Sequence, residues 1–386
     1  MPRRPPGDET ARLFLQIANS LDRRSRQRDG TRLKPWDLDP SRPRYLRNSA
    51  EIRDAIARLG RLVRAERPGF RRDWLTDHLP TLEALARLVR GRVPPLPEQV
   101  RVFYGLPVRP AKESELDELR GEIRDLLGVS RADALRRAVE DWERRHEVPY
   151  GEVLPTMARS LREARRAARK LFELPPRERS QLVATHRSTY SGYCYYTRDY
   201  QSTVKLDVDL PWTWPSLRDM ATHEAYPGHH VHQCTREWEY LEGEFPREAA
   251  VSLAASPMGP VEEGIAENAM LFIGWDEAPE DRMTLLRNRL RWGTEVNLAW
   301  MVHRQEPRRE LLDYAMHSGL LDWRQAVRDV RYAANRAWAS YAFCYWYGAA
   351  LVRKQFERLE GDPAFFDVLY WKPHTVRTLE KAFRRV

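Results

Sequence analysis

The sequence predicts a mainly α protein with one small antiparallel β-hairpin. Apolar residues recur at three- and four-residue steps along most of the chain, with arginine and glutamate on the opposite faces. One stretch, residues 190–208, switches to aromatic and β-branched residues in polar alternation, the pattern of short strands. With 386 residues, 42% of them hydrophobic, the chain can bury a large core, which excludes disorder and low complexity as its main character.

Taken in order, helical periodicity covers residues 9–23, 50–64, 72–89, 113–127 and 132–146. Ser114 with Asp117, and Ser130 with Asp133, read as helix starts in which a hydroxyl and a carboxylate serve free amide groups. Prolines at 94–97 and 174–176 mark turns. The strands of 190–208 should turn near 197–200, and Ser216 should cap a new helix. Helical patterns then return at 261–275, 281–305, 308–318, 323–359 and 364–383.

The formal charge of +9 comes from 65 basic against 56 acidic residues. Arginine is interleaved with acids along the helices, as in Arg162-Glu-Ala-Arg-Arg166, which reads as solvated helix surface, and no nucleic acid is expected as a partner. No apolar run approaches the ~18 residues of a membrane span. The chain opens on a basic stretch, but the apolar segment 13–18 behind it is too short for a secretory signal. Three scattered cysteines, Cys194, Cys234 and Cys344, make no disulfide framework or thiolate zinc site. These features predict a cytoplasmic protein.

Four of the ten histidines fall in Thr222-His-Glu-Ala-Tyr-Pro-Gly-His-His-Val-His-Gln233. A His–Glu pair on a helix followed by a further His is how zinc hydrolases place two imidazoles on a metal and a carboxylate beside its water. The usual second His, four residues on, is replaced by Pro227. Proline cannot bond back to His223 and Gly228 permits unusual backbone angles, so the helix should kink or bulge here and return a later imidazole toward His223. His229 is the preferred second ligand because a short bulge restores its phase most simply. His230, nearly a whole number of turns from His223, is the alternative. His232, off the favoured face, reads as solvent-exposed or as a supporting residue. A third ligand must come from another helix, and Glu263 in Pro260-Val-Glu-Glu-Gly-Ile-Ala-Glu-Asn268 suits it. Glu267, one turn on, could accept a ring N–H from a ligand His and fix its tautomer.

Asp207-Val-Asp-Leu-Pro211, the core from His223 to His230, Glu263-Gly-Ile-Ala266 and Tyr341-Ala-Phe-Cys-Tyr-Trp-Tyr-Gly348 together resemble the bacterial family called domain of unknown function 885. That family is related in pattern to the gluzincin metallopeptidases. The resemblance covers roughly residue 153 to the C-terminus. It implies a gluzincin-like helical catalytic fold with the small hairpin beside the metal helix, zinc at His223, His229 or His230, and Glu263, and Glu224 as general base. The family's usual Trp in Glu-Gly-Trp-Ala is Ile265 here. Tyr345 occupies the family's Tyr-x-x-Gly element and is favoured over Tyr341 and Tyr347 as hydrogen-bond donor to a developing oxyanion. No linker stands out, so residues 1–150 are expected to form a helical N-terminal lobe continuous with a catalytic lobe over 151–386.

The chemistry so predicted is zinc-assisted hydrolysis of a peptide or peptide-like amide bond, with Glu224 moving the proton. A hydrolase acting on a small amide or amino-acid conjugate is the alternative, and a non-catalytic metal- or nucleic-acid-binding protein a third reading. Two His and one carboxylate would also suit manganese or iron. Arg304, Arg331 and Arg336 could each grip a substrate carboxylate, and nothing in the sequence chooses among them.

Overall fold

The computed structural model of the chain describes residues 8–39, 41–244, 246–359 and 362–386; the basic opening stretch lies outside the described residues. The first part is helical: α1 Glu9–Asp29, α2 Ser49–Ala65, α3 Phe70–Leu88, α4 Leu96–Tyr104, α5 Glu113–Leu126 and α6 Leu135–His146. Asp8 and Asn48 cap α1 and α2 through their side chains. The prolines at 94–97 do interrupt the chain, but they also open α4, which periodicity did not single out; proline in a first turn removes an amide that has no helical partner anyway. Ser114 and Ser130 are not caps. α5 already begins at Glu113, and a 3-10 turn at Ala132–Ala134 separates Ser130 from α6.

The second part contains α7 Val153–Ala168, strands β1 Arg179–Thr185, β2 Gly192–Arg198 and β3 Gln201–Asp207, then α8 Trp214–Glu224, α9 His229–Glu242, α10 Gly259–Glu267 and α11 Ala269–Phe272. It continues with α12 Pro279–His303, α13 Arg308–His317, α14 Trp323–Ala333, α15 Ala342–Leu359, α16 Pro363–Tyr370 and α17 Val376–Phe383. The cap of α8 is Thr213, and Ser216 is its reciprocal partner three residues on. Three predicted helices divide. Asn268 separates α10 from α11, its side chain bonding Gly264 O and Ala349 O; α14 ends before α15 begins; and a break before Thr375 separates α16 from α17.

The sheet order is β1-β3-β2. β2 and β3 form the predicted antiparallel hairpin, whereas β1, a third strand that the alternation pattern does not predict, joins β3 in parallel. Arg198, Asp199 and Tyr200 turn the hairpin with positive φ, which β-branched and bulky residues resist. Glu237 of α9 holds that turn, accepting from Asp199 N at 3.0 Å, Tyr200 N at 2.9 Å and the Tyr196 hydroxyl at 2.6 Å. The hairpin is thereby fastened to the helix that carries His229.

Buried apolar residues form three clusters. The largest joins α1–α6 to the segment 249–258, α12 and α15, so it draws on both sides of residue 150. The second packs α7 and the sheet against α8–α11, α16 and α17. A smaller one fills the space among α12, α13 and α14. α10 lies unusually close to α15: a Cβ on Gly348 would fall 2.0 Å from Pro260 O, and one on Gly264 2.4 Å from Gly348 O. Only glycine fits at either point. No helix among the described residues is long and apolar enough to cross a membrane.

Candidate metal centre

α8 stops at Glu224. Ala225 and Tyr226 still bond back to Ala221 O, the Tyr226–Pro227 peptide is cis, and Gly228 N bonds Thr222 O at 2.9 Å before α9 starts at His229. A Cβ on Gly228 would lie 1.9 Å from His223 O, so the fold-back requires glycine there. The kink anticipated at Pro227 is thus a complete break between two helices. It sets the His223 and His229 rings at 87° with centroids 4.9 Å apart.

Glu263 on α10 completes the cluster. Its Oε2 lies 3.6 Å from His223 Nε2 and 3.5 Å from His229 Nε2. One donor atom each of His223, Glu224 and His229 also lies within 4.8 Å of the others. Glu267 Oε1 is 3.3 Å from His223 Nδ1, while its Oε2 accepts from Trp292 Nε1 at 2.8 Å. The carboxylate is therefore held by an indole on one side and faces the imidazole on the other.

His230 does not join them. It is fully buried on the far side of α9, where its Nε2 lies 3.1 Å from Glu178 Oε2, a carboxylate that also accepts from Tyr226 and pairs with Arg165. Consecutive residues on a helix point about 100° apart, so one imidazole can face the cluster only if the other faces away. His232 is buried as well, against the Tyr370 ring, rather than exposed. Glu262 turns from the cluster to pair with the buried Arg236 at 2.7 Å.

The three tyrosines part company. The Tyr341 hydroxyl donates to Glu263 Oε1. Tyr345 stacks on Trp292 at 4.0 Å and 11°, its ring centroid 6.3 Å from that of His223. Tyr347 bonds the carbonyls of Arg109 and Pro110. Arg304, Arg331 and Arg336 are all exposed. Gly192, at the start of β2, passes so close to α8 that a Cβ there would meet Met220 Sδ at 2.3 Å and Glu224 Oε1 at 3.2 Å. The free edge of β2 therefore begins beside Glu224.

Charge in the cluster is strongly coupled. Burial opposes protonation of His223, but Glu267, Glu224 and Glu263 outweigh it and lift its pKa to about 10. Burial likewise opposes charge on Glu263, yet His229, His223 and the Tyr341 hydroxyl hold its pKa below the usual value. Burial, reinforced by Glu263 and neighbouring acids, pushes the Tyr345 phenol well above 10, so it stays neutral and able to donate.

Two imidazole nitrogens and a carboxylate oxygen are a zinc-type donor set. Donors each ~2.1 Å from one tetrahedral ion stand roughly 3.4 Å apart, close to the separations found here. Glu263 Oε2 is buried and makes no hydrogen bond of normal length, its nearest polar neighbours being the two imidazoles at 3.5 and 3.6 Å, a spacing that leaves room for an ion between them. The residues present fit a metal ion.

The positions of Trp292, Glu178 and Arg236, and the different partners of Tyr341 and Tyr345, are not legible in the sequence. Nothing marks Glu178 within its Pro-Pro-Arg-Glu-Arg turn. Gly192 did carry a signal, since a lone glycine in a strand pattern points to close backbone approach.

No protein-family model matches the chain, and no curated protein matches it. Among solved structures, it is similar to a "putative lipoprotein" from Colwellia psychrerythraea, with a TM-score of 0.62 and 13% identity over 87% of this chain and 62% of that one. It is also similar to a "putative lipoprotein of unknown function" from Shewanella oneidensis, with a TM-score of 0.55 and 13% identity over 87% of this chain and 67% of the other. The chain thus spans about two thirds of the length of these proteins, and the likeness is one of fold.

Proposed function

We propose that the protein is a zinc-dependent hydrolase of gluzincin type, akin to the domain of unknown function 885 family, that cleaves a peptide or peptide-like amide bond. The observation that carries this reading is Glu263 Oε2, buried without a hydrogen bond and facing the Nε2 atoms of His223 and His229 at nearly equal distances with Glu224 alongside. His223, His229 and Glu263 would hold the ion. When bound, the metal supplies Lewis acidity, polarising a carbonyl and acidifying water.

The chain's own residues do the rest. Glu224 receives a proton on its carboxylate and returns it to the leaving nitrogen. Tyr345, neutral and braced by Trp292, donates a hydrogen bond to the oxygen that gains charge. Glu267 orients His223, and Tyr341 orients Glu263. The free edge of β2 beside Glu224 offers backbone groups on which an extended peptide can align.

We infer a cytoplasmic setting, supported by three buried, unpaired cysteines. The dispersal of arginine into ion pairs along helices, such as Arg136 with Glu140 and Arg353 with Glu357, supports the absence of a nucleic-acid partner. The decisive experiment is elemental analysis of wild type and Glu224→Gln combined with an assay on a peptide and amide library. Both proteins should carry about one metal per chain, and only wild type should hydrolyse. A metal-free wild type, or a variant as active as wild type, would sink the reading.

A further inference from the structure

On the side of the sheet away from β2, a groove of about 730 Å3 runs between α7 and β1. That volume falls in the ~300–1,000 Å3 range of ligand clefts. Its lining is ordered. One wall is a single face of α7, carrying Leu161, Arg162 and Arg165; the other is the continuous run Arg179-Ser-Gln-Leu182 of β1. A continuous run, rather than every second residue, means that the open edge of the strand forms this wall.

The backbone groups on that edge can be assigned. Arg179 N bonds Tyr200 O and Thr185 O accepts from Val208 N, so odd-numbered residues of β1 face β3. Ser180 and Leu182 then point their N–H and C=O groups the other way, into the groove. β1 is an edge strand, and its outward groups have no ladder partner among the described residues.

The charge is equally one-sided. Arg165 is engaged by Glu178, but Arg162 and Arg179 have no acidic partner among the described residues. The groove therefore offers two free guanidinium groups, apolar contact from Leu161 and Leu182, and a row of open strand hydrogen-bonding groups. Guanidinium groups favour carboxylates by two-pronged contact, and an exposed strand edge favours an extended chain. The basic opening stretch of this same chain has the wrong charge to fill it.

We propose that the α7–β1 groove is a docking site for an extended acidic peptide segment, which adds to the sheet as a fourth strand along β1 with carboxylates on Arg162 and Arg179. This site is separate from the metal cluster and does not depend on the hydrolase reading. Tyr226, on the loop joining His223 to His229, reaches its floor and donates to Glu178 Oε2 at 2.9 Å. An occupied groove thus touches the segment that sets the two imidazoles.

The test uses the full chain with Glu224→Gln, so that no peptide can be consumed, and a fluorescent blocked hexapeptide alternating glutamate with valine. Anisotropy should show saturable binding that weakens at least tenfold in the Arg162→Ala/Arg179→Ala variant, with the circular dichroism spectrum unchanged. N-methylating alternate amides of the peptide should abolish binding in one phase and spare it in the other, as strand pairing demands. The proposal is overturned if the hexapeptide does not bind, if the double variant binds it equally, if both N-methylated phases bind alike, or if inorganic phosphate or free glutamate displaces it at millimolar concentration, which would make this an anion site only.

Discussion

The Tyr341 hydroxyl donates to Oε1 of Glu263 and leaves Oε2 as the atom turned toward the two imidazoles. This one bond selects which carboxylate oxygen serves the cluster. Tyr341→Phe should therefore lower metal affinity about 10–100-fold, the usual effect of losing such a supporting bond. Competition against a chelator of known affinity measures it; unchanged affinity would show that Glu263 is oriented by its helix alone.

Tyr345 lies in a different relationship, stacked on Trp292 rather than bonded to Glu263. Tyr345→Phe keeps the stack and removes only the hydroxyl. On the proposed hydrolase reading, metal content should stay near one per chain while kcat falls about 10²–10³-fold, the usual effect of removing an oxyanion donor. A rise in KM or a fall in metal content, with kcat unchanged, would assign the residue to packing.

The approach of α10 to α15 depends on two glycines. Gly348→Ala would drive a methyl into Pro260 O, a backbone atom that cannot swing aside. We expect a loss of about 1–3 kcal/mol in urea unfolding, as for other forced overpacking, together with weaker metal binding because α10 carries Glu263. Retained affinity in a destabilised variant would show that the contact supports stability alone.

Glu178 should govern part of the acid sensitivity. Burial opposes its charge, but His230, Arg165 and Tyr226 prevail and hold its pKa at about 2 against 4.5 ordinarily. A carboxyl depressed on folding stabilises fully above its unfolded pKa and loses that contribution as pH falls toward its folded one. Relative to Glu178→Gln, wild type should lose roughly 1 kcal/mol by pH 3.5 and on the order of 3 kcal/mol by pH 2. Urea denaturation of both proteins from pH 7 downward checks this; parallel curves would remove Glu178 from the account.

Much of the site could be read from local chemistry. Pro227 and Gly228 announce a break, since a helix cannot run through that pair without losing a bond and gaining a clash. Phase prefers His229 over His230, but what turns His230 away from the cluster is where the fold delivers Glu178, 52 residues away along the chain. Tyr341 and Tyr345 stand four residues apart, so spacing alone does not tell their settings apart; what differs is Glu263 beside one and Trp292 beside the other. The pattern of β1 is silent for a related reason. Arg-Ser-Gln-Leu-Val-Ala-Thr lacks strict alternation, and Val183 points outward at 43% exposure, so only pairing with β3 makes it a strand.

The proposed ligands arrive on two separately braced pieces. His223 and His229 belong to the α8–α9 fold-back, anchored through Glu237 and Glu178, whereas Glu263 rides on the α10–α15 pair locked glycine to backbone. An ion shared among them would act as a rivet across the seam between these pieces. Withdrawing it should accelerate hydrogen exchange first in the amides lining that seam, while the helices of the first 150 residues keep their protection.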